Sequence, residues 1–87
     1  MEAPSTIAVR ILAFARVREL IGMTDYEVDL PVGASIQELF EMLVSQTPDL
    51  AQFRASIRFA RNGEIVDAGT ELTRGDEIAL LPPVGGG

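Results

Sequence analysis

Two short stretches near the start of the chain alternate between apolar and polar positions. Isoleucine or valine occupies every second position from 7 to 11, and apolar residues alternate with acidic ones from 26 to 30. This period of two predicts strands with one buried face over 7–14 and 26–30. Between them, residues 16–21 fit a helix better than a strand and are followed by Gly22, a frequent helix cap. The pattern predicts a first hairpin whose connection contains a short helical turn.

The middle of the chain has the spacing of an amphipathic helix. Ser35 and Glu38 have the spacing of a capping box, in which each side chain accepts an N–H that the first turn leaves unpaired. Apolar residues follow at i, i+3, i+4, i+7 and i+8: Ile36, Leu39, Phe40, Leu43 and Val44. Pro48 ends this helix, and residues 49–56 are expected to add a further turn. The apolar stripe requires an apolar partner, which the predicted sheet provides.

The second half of the chain predicts another hairpin and a final strand. The Asn-Gly pair at 62–63 favours a type I′ turn between strands predicted at 57–61 and 64–66. A turn at 74–76 leads into the last strand, 77–81, which we expect to lie parallel to the first. The predicted fold is an α+β roll of the β-grasp (ubiquitin-like) class, with a mixed sheet of about five strands and one main helix packed on one face.

The last residues differ in character from the rest of the chain. We expect a single domain over 1–81, with residues 1–5 disordered and 82–87 forming a flexible glycine tail. Two prolines favour an extended start to this tail, and glycines at 85–87 carry no Cβ. Such a tail can enter a channel too narrow for side chains. It is therefore the expected site of chemistry, the alternative being a frayed or engineered terminus.

Apolar side chains are also predicted on the sheet face away from the helix. If the first and last strands are parallel neighbours, Leu12 and Phe14 adjoin Ala79 and Leu81 on that face. A monomer does not need such a patch, and exposed apolar patches often mark a protein interface. We therefore expect a docking surface there, the alternative being that loops cover the patch.

The composition excludes several kinds of function. The chain contains no Cys, His or Lys, so it lacks the commonest nucleophiles, the neutral-pH acid–base group and the usual ligands of zinc and iron–sulfur sites. A partner is expected to supply any catalyst. The formal charge of −6 argues against binding to nucleic acid or an anionic membrane. No apolar run reaches the ~20 residues of a membrane span and no signal peptide begins the chain, so a cytoplasmic protein is expected.

Three segments of the chain carry a recognisable combination of motifs. They are residues 14–22 (FARVRELIG), residues 75–79 (GDEIA) and residues 81–87 (LPPVGGG). A terminal Gly-Gly pair alone is a weak motif, but the three segments in these positions are specific together. The chain from Thr6 to its end resembles the MoaD family, the small sulfur-carrier subunits of molybdopterin synthase.

The resemblance implies a chemistry for the C-terminus. In this family the terminal glycine, here Gly87, is adenylated by a MoeB-type enzyme that uses ATP, and sulfur then displaces AMP to leave a thiocarboxylate. Gly85 and Gly86 let the tail thread into the partner's site. The thiocarboxylate donates its sulfur to cyclic pyranopterin monophosphate in molybdopterin biosynthesis. The chain would bind no cofactor or metal itself, and it would be a non-catalytic subunit whose large partner holds the active site.

The resemblance also implies a docking partner, a MoaE-type large subunit with which the chain forms a heterotetramer. The residues that it assigns to the docking region are Phe14, Arg18, Leu81, Pro82, Pro83 and Val84. Three of them also have a structural explanation without a partner: Phe14 as a core residue, Arg18 as a solvated charge and Pro82 as the end of a strand.

Three other functions are compatible with these features. Sulfur carriers for thiamine thiazole, tungsten cofactor or amino-acid sulfur transfer have the same tail. A ubiquitin-like modifier would form isopeptides, and a chain without lysine could donate its C-terminus but could not accept one on a side chain. A plain binding module would be unaffected by removal of Gly86 and Gly87.

Overall fold

Two hairpins and a final strand build a five-stranded sheet with one long helix across one face. The structure, a computed structural model, describes residues 5–83. The strands are β1 (Thr6–Ala13), β2 (Asp25–Pro31), β3 (Arg58–Arg61), β4 (Glu64–Val66) and β5 (Glu77–Leu81). The helices are α1 (Ala15–Ile21), α2 (Ile36–Gln46) and a 3-10 helix (Pro48–Phe53).

The sheet is mixed, and its strand order is β2-β1-β5-β3-β4. The central strands β1 and β5 are parallel, whereas the other neighbouring pairs are antiparallel. Leu12 lies opposite Ala79, so the predicted parallel pairing of the first and last strands is confirmed. The order and the helix packed on one face are those of a β-grasp fold, and the predicted fold class is confirmed.

The turns and caps form where the sequence signals place them. Asn62 and Gly63 have φ angles of 50° and 90°, as a type I′ turn requires. Glu38 donates its backbone N–H to the Ser35 hydroxyl at 3.2 Å, and Ser35 donates its own to the Glu38 carboxylate at 3.0 Å. This capping box starts α2. Gly22 ends α1 with φ of 88°, a conformation that glycine adopts at little cost.

The core lies between α2 and one face of the sheet. Every second residue of β1 is buried in it: Ile7, Val9, Ile11 and Ala13. Four residues of the α2 stripe join them: Ile36, Leu39, Phe40 and Leu43. The rings of Phe40 and Phe59 meet edge to face with centroids 5.9 Å apart. Because successive strand residues point to opposite faces, the intervening residues of β1 lie on the outer face, away from α2.

Some predictions concern residues 1–4 and 84–87, which lie outside the described part of the chain. The disorder of residues 1–5, the flexibility of the tail over 82–87 and the domain boundary at 81 stay predictions. Within residues 5–83, none of the helices combines the length and the hydropathy of a helix that crosses a lipid bilayer.

Candidate functional site

Strand register brings four apolar residues into one line across the outer face of the sheet. Leu12 on β1 lies opposite Ala79 on β5. Ala79 in turn lies opposite Ala60 on β3, which lies opposite Ile65 on β4. Residues that oppose each other on neighbouring strands share a face. These four residues therefore form a line across four strands, and we name this line the apolar row. Ile65 is 58% exposed, and Leu12 and Ala79 are half-buried.

The ends of β1 and β5 extend this surface. Leu81 lies two residues beyond Ala79 on the same face of β5 and is half-buried. Phe14 follows β1 as the N-cap residue of α1 and is 44% exposed, so it is not a core residue. The next residue, Ala15, has φ of 51°, a left-handed conformation that costs roughly 1–2 kcal/mol without glycine. The backbone beside Phe14 is therefore strained.

A small pocket lies where β5 leaves the sheet, and we name it the tail-root pocket. Its volume is about 270 Å³, and its lining residues are Ser56, Arg58, Leu81, Pro82 and Pro83. Pro82 is buried whereas Pro83 is exposed. The chain therefore stays packed against the domain for one residue after β5, and the predicted tail begins beside this pocket.

The structure brings most of the predicted docking residues to one region. Phe14 and Leu81 lie where the parallel strands β1 and β5 finish, and residues 82–83 continue from that end. Arg18 is exposed on α1 and forms no ion pair within residues 5–83. Residues 84–87, which include the predicted reacting glycine, lie outside the described part. The binding and chemical roles of all these residues stay predictions.

Sequence reasoning missed two members of the apolar row, Ala60 and Ile65. The Asn-Gly turn at 62–63 contains a usable signal, because a two-residue turn fixes which residues oppose each other. Counting outward from it pairs Ala60 with Ile65. The pairing of Ala60 with Ala79 has no such local signal, because it joins strands that are far apart in the sequence.

Acidic side chains lie on the same outer face, on β2 and at the residue of β5 that precedes the apolar row. Asp25, Glu27 and Asp29 of β2 oppose the outward residues of β1, and Glu77 of β5 opposes Arg10. We name these five residues the acidic flank. Four carboxylates and one guanidinium give the flank a net charge of −3. Such a surface favours a basic partner.

Arg10 orders part of the acidic flank. It donates Nε–H to Oδ1 of Asp25 at 2.7 Å, pairs also with the second oxygen of that carboxylate, and lies 3.5 Å from Glu77. The hydrogen bonds from Arg10 lower the pKa of Asp25, and the same contact raises the pKa of Arg10. Because these groups are solvent-exposed, the pairs orient side chains more than they stabilise the fold.

The described part of the region is suited to binding. It presents an apolar row bordered by the acidic flank, next to the start of the tail. Within residues 5–83, no group of three or more acidic side chains is placed to hold a metal ion. An apolar centre with a charged rim is the usual composition of a protein docking face.

Comparison with known proteins identifies relatives that cover most of the chain. The model of the ThiS family matches residues 11–87. The molybdopterin synthase sulfur carrier subunit of Arabidopsis thaliana is 34% identical over 83 residues, which make up 95% of this chain and 86% of that protein. The resemblance indicated by the sequence motifs is thereby confirmed.

Solved structures support the same relationship. SAMP1 from Haloferax volcanii is 31% identical, with a TM-score of 0.80 and coverage of 92% of this chain and 99% of that chain. A chain from the complex of subunits 1 and 2 of molybdopterin-converting factor from Helicobacter pylori is 26% identical. Its TM-score is 0.64, with coverage of 93% of this chain and 100% of that chain. Together with the family model, these similarities show that the chain belongs to the ThiS family.

Proposed function

We propose that this chain is a sulfur carrier in molybdopterin (molybdenum cofactor) biosynthesis. The observation that carries the proposal is the ThiS-family match, which runs through residue 87 and so includes the glycine tail as well as the apolar row, Phe14 and Leu81. The relative from Arabidopsis thaliana is named for this role. Gly87 is the reacting residue, and as a thiocarboxylate it gives its sulfur to cyclic pyranopterin monophosphate.

The chemistry at Gly87 starts from a carboxylate, which is a poor acyl donor because oxide is a poor leaving group. A MoeB-type partner joins one carboxylate oxygen to the α-phosphate of ATP, and pyrophosphate leaves. A sulfur nucleophile then attacks the carbonyl carbon of this mixed anhydride, and AMP departs with that oxygen. The chain has no Cys, His or Lys to catalyse these steps. The partner therefore binds ATP and supplies the catalytic groups, and the chain itself needs no cofactor.

A MoaE-type large subunit is the second partner. The similar chain from Helicobacter pylori comes from a complex of two molybdopterin-converting subunits. We place the contact on the apolar row together with Phe14 and Leu81, and we name this surface the docking face. It lies next to the tail-root pocket, so a partner can cover it while the tail enters an active site. Gly85 and Gly86 present no Cβ to a narrow channel. The active site lies in the large subunit, within a cytoplasmic heterotetramer.

Intact-protein mass spectrometry tests the carrier chemistry. The chain is incubated with a MoeB-type enzyme, ATP and a sulfur donor. We expect a mass gain equal to the replacement of one oxygen by sulfur, localised to Gly87, and no gain when ATP is omitted. An unchanged mass, from an activating enzyme that modifies its own carrier in parallel, would contradict the proposal.

Carriers that serve thiamine thiazole, tungsten cofactor or amino-acid pathways would give the same mass gain. A transfer assay separates them from the proposed pathway. The thiocarboxylated chain is mixed with the purified large subunit and cyclic pyranopterin monophosphate, and molybdopterin is measured. Formation of the thiocarboxylate without molybdopterin would assign the carrier to another pathway.

A protein-modifier role is the second candidate. It is favoured by the structural similarity to SAMP1, a small archaeal modifier protein. A modifier would form ATP-dependent conjugates in which Gly87 is joined to target amines. Because the chain has no lysine, a conjugate would carry single copies and no side-chain-linked polymers. A tagged chain in cell extract tests this role, and thiocarboxylate formation without conjugates would leave the carrier role alone.

Leu81→Glu is expected to weaken binding to the large subunit by at least about tenfold. The substitution would bury an unpaired carboxylate at an apolar contact, and such burial costs roughly 2 kcal/mol or more. Val32→Glu is the matched control, because Val32 is 61% exposed and lies in the turn after β2. Calorimetric titration should show wild-type affinity for the control. Equal affinities for the two variants would remove Leu81 from the docking face.

A further inference from the structure

Arg58 stands apart from most arginines of this acidic chain. Four others pair with carboxylates: Arg10, Arg16, Arg54 and Arg61. Arg58 forms no ion pair within residues 5–83, although the chain has thirteen acidic residues for seven arginines. Its charge is therefore not neutralised by the described part of its own domain.

Arg58 also lies at the edge of the docking face. It is exposed at the start of β3, opposite Leu81 and two residues from Ala60, so register places it on the outer face. It borders the tail-root pocket and also a groove of about 280 Å³ between β3, β4 and α2. Open space in the tail-root pocket and in the groove allows a side chain of a docked protein to approach the guanidinium of Arg58.

The docking face is consequently polarised. The acidic flank lies on β2 and on the residues of β1 and β5 that precede the apolar row, whereas Arg58 lies beyond the row, opposite Leu81. A partner that covers the row and complements both charges needs basic groups opposite the flank and an acidic group opposite Arg58. Two such contacts of opposite sign define one orientation, because a rotated partner would bring like charges together.

We propose that Arg58 pairs with a carboxylate side chain of the large subunit and fixes the orientation in which the tail enters that subunit. The inference rests on the proposed function, because it uses the same docking face. A guanidinium suits this role since it binds a carboxylate through two parallel hydrogen bonds. Its aliphatic stem can cover apolar surface next to Leu81 while its charged end pairs with the partner.

Calorimetric titration of the full chain with the purified large subunit tests the pair. Arg58→Glu is expected to weaken binding at least about tenfold, and Arg58→Gln to weaken it less. Arg74→Glu is the matched control: it makes the same change in net charge, in the turn before β5, at an exposed residue. Its affinity should stay within about twofold of wild type, as expected for an isolated surface charge.

The direction of the change in affinity distinguishes a local ion pair at Arg58 from a general attraction between net charges. A basic partner attracted only by net negative charge would bind both Glu variants as well as wild type or more tightly. Equal affinities for Arg58→Glu and Arg74→Glu would therefore overturn the inference. Loss of thiocarboxylate formation by Arg58→Glu with unchanged affinity would also overturn it, because Arg58 would then serve the activating enzyme.

Two further measurements complete the test. Replacing the paired carboxylate of the large subunit with arginine should restore the affinity of Arg58→Glu, and failure of every such replacement would contradict the pair. Leu81→Glu in the same titration distinguishes failure of the Arg58 inference from failure of the docking face. If it weakens binding while Arg58→Glu does not, only the Arg58 inference fails. If neither weakens binding, the docking face itself is wrong. Thermal unfolding checks that each variant folds.

Discussion

Deletion of Gly87 should abolish sulfur transfer and leave the fold intact. The shortened chain still ends in a glycine pair, Gly85-Gly86, so the chemical nature of its terminus is preserved. Its carboxylate, however, lies one residue nearer the domain, a distance of about 3.3–3.6 Å in an extended chain. A misplacement of reacting atoms by about 1 Å can reduce a rate roughly a hundredfold. We therefore expect no detectable thiocarboxylate by intact-protein mass spectrometry.

The deletion should not change the fold, because the buried core of the described residues lies between Ile7 and Leu80 and does not include the tail. Thermal unfolding should accordingly give the same midpoint for the shortened and full chains. A second variant lacks Gly87 but gains an alanine before Val84, which restores the length of the tail. This variant should recover part of the activity if the deletion acts by shortening the tail. Wild-type transfer by the shortened chain would rule out Gly87 as the reacting residue.

Much of the fold was predictable because its signals are local. The alternation at 7–11, the Ser35–Glu38 capping box and the Asn-Gly pair at 62–63 each define a structural feature within a few residues. Their order along the chain leaves few ways to cover one face of the sheet with α2. Agreement between local preference and overall fold is typical of natural sequences.

The features that sequence reasoning missed either lack a local sequence signal or depend on contacts between distant segments. The predicted first strand included Phe14, but β1 ends at Ala13 and Phe14 caps α1 instead. The backbone turns at Ala15, whose positive φ has no signal in the sequence because alanine disfavours it. The place of Ala60 in the apolar row depends on the pairing of β3 with β5. For the candidate site, sequence reasoning indicated the tail and the part of the docking face on β1 and β5, whereas strand register was needed to add β3 and β4.

Asp76 is a further residue whose structural role sequence reasoning missed, since its position in the sequence indicated only a turn. It is 4% exposed. Its carboxylate accepts the backbone N–H of Thr73 at 2.8 Å and the Thr73 hydroxyl at 3.0 Å. It also accepts the side-chain amide of Asn62 at 3.1 Å and lies 3.1 Å from Nε of Arg61. These contacts join the turn before β5 to the hairpin of β3 and β4.

Asp76→Ala should lower the free energy of unfolding by roughly 2–4 kcal/mol, because it leaves several donors without an acceptor and removes the partner of Arg61. Urea unfolding measures this loss. Glu77→Ala is the matched control, since it removes the neighbouring acid, whose side chain is 40% exposed and lies 3.5 Å from Arg10. The control should lose much less stability.

The loss caused by Asp76→Ala should also depend on pH. Burial alone would raise the pKa of Asp76, but hydrogen bonds from Thr73 and Asn62, with the charge of Arg61, lower it below the ordinary value of 3.8. A carboxyl whose pKa is lower in the folded state stabilises the fold above the unfolded value, and this contribution disappears as pH falls through the folded-state pKa. The difference in unfolding free energy between wild type and variant should therefore be largest near neutral pH and shrink below 3.8. A difference that stays constant with pH would mean that the ionised carboxylate does not stabilise the fold and that the loss comes from packing.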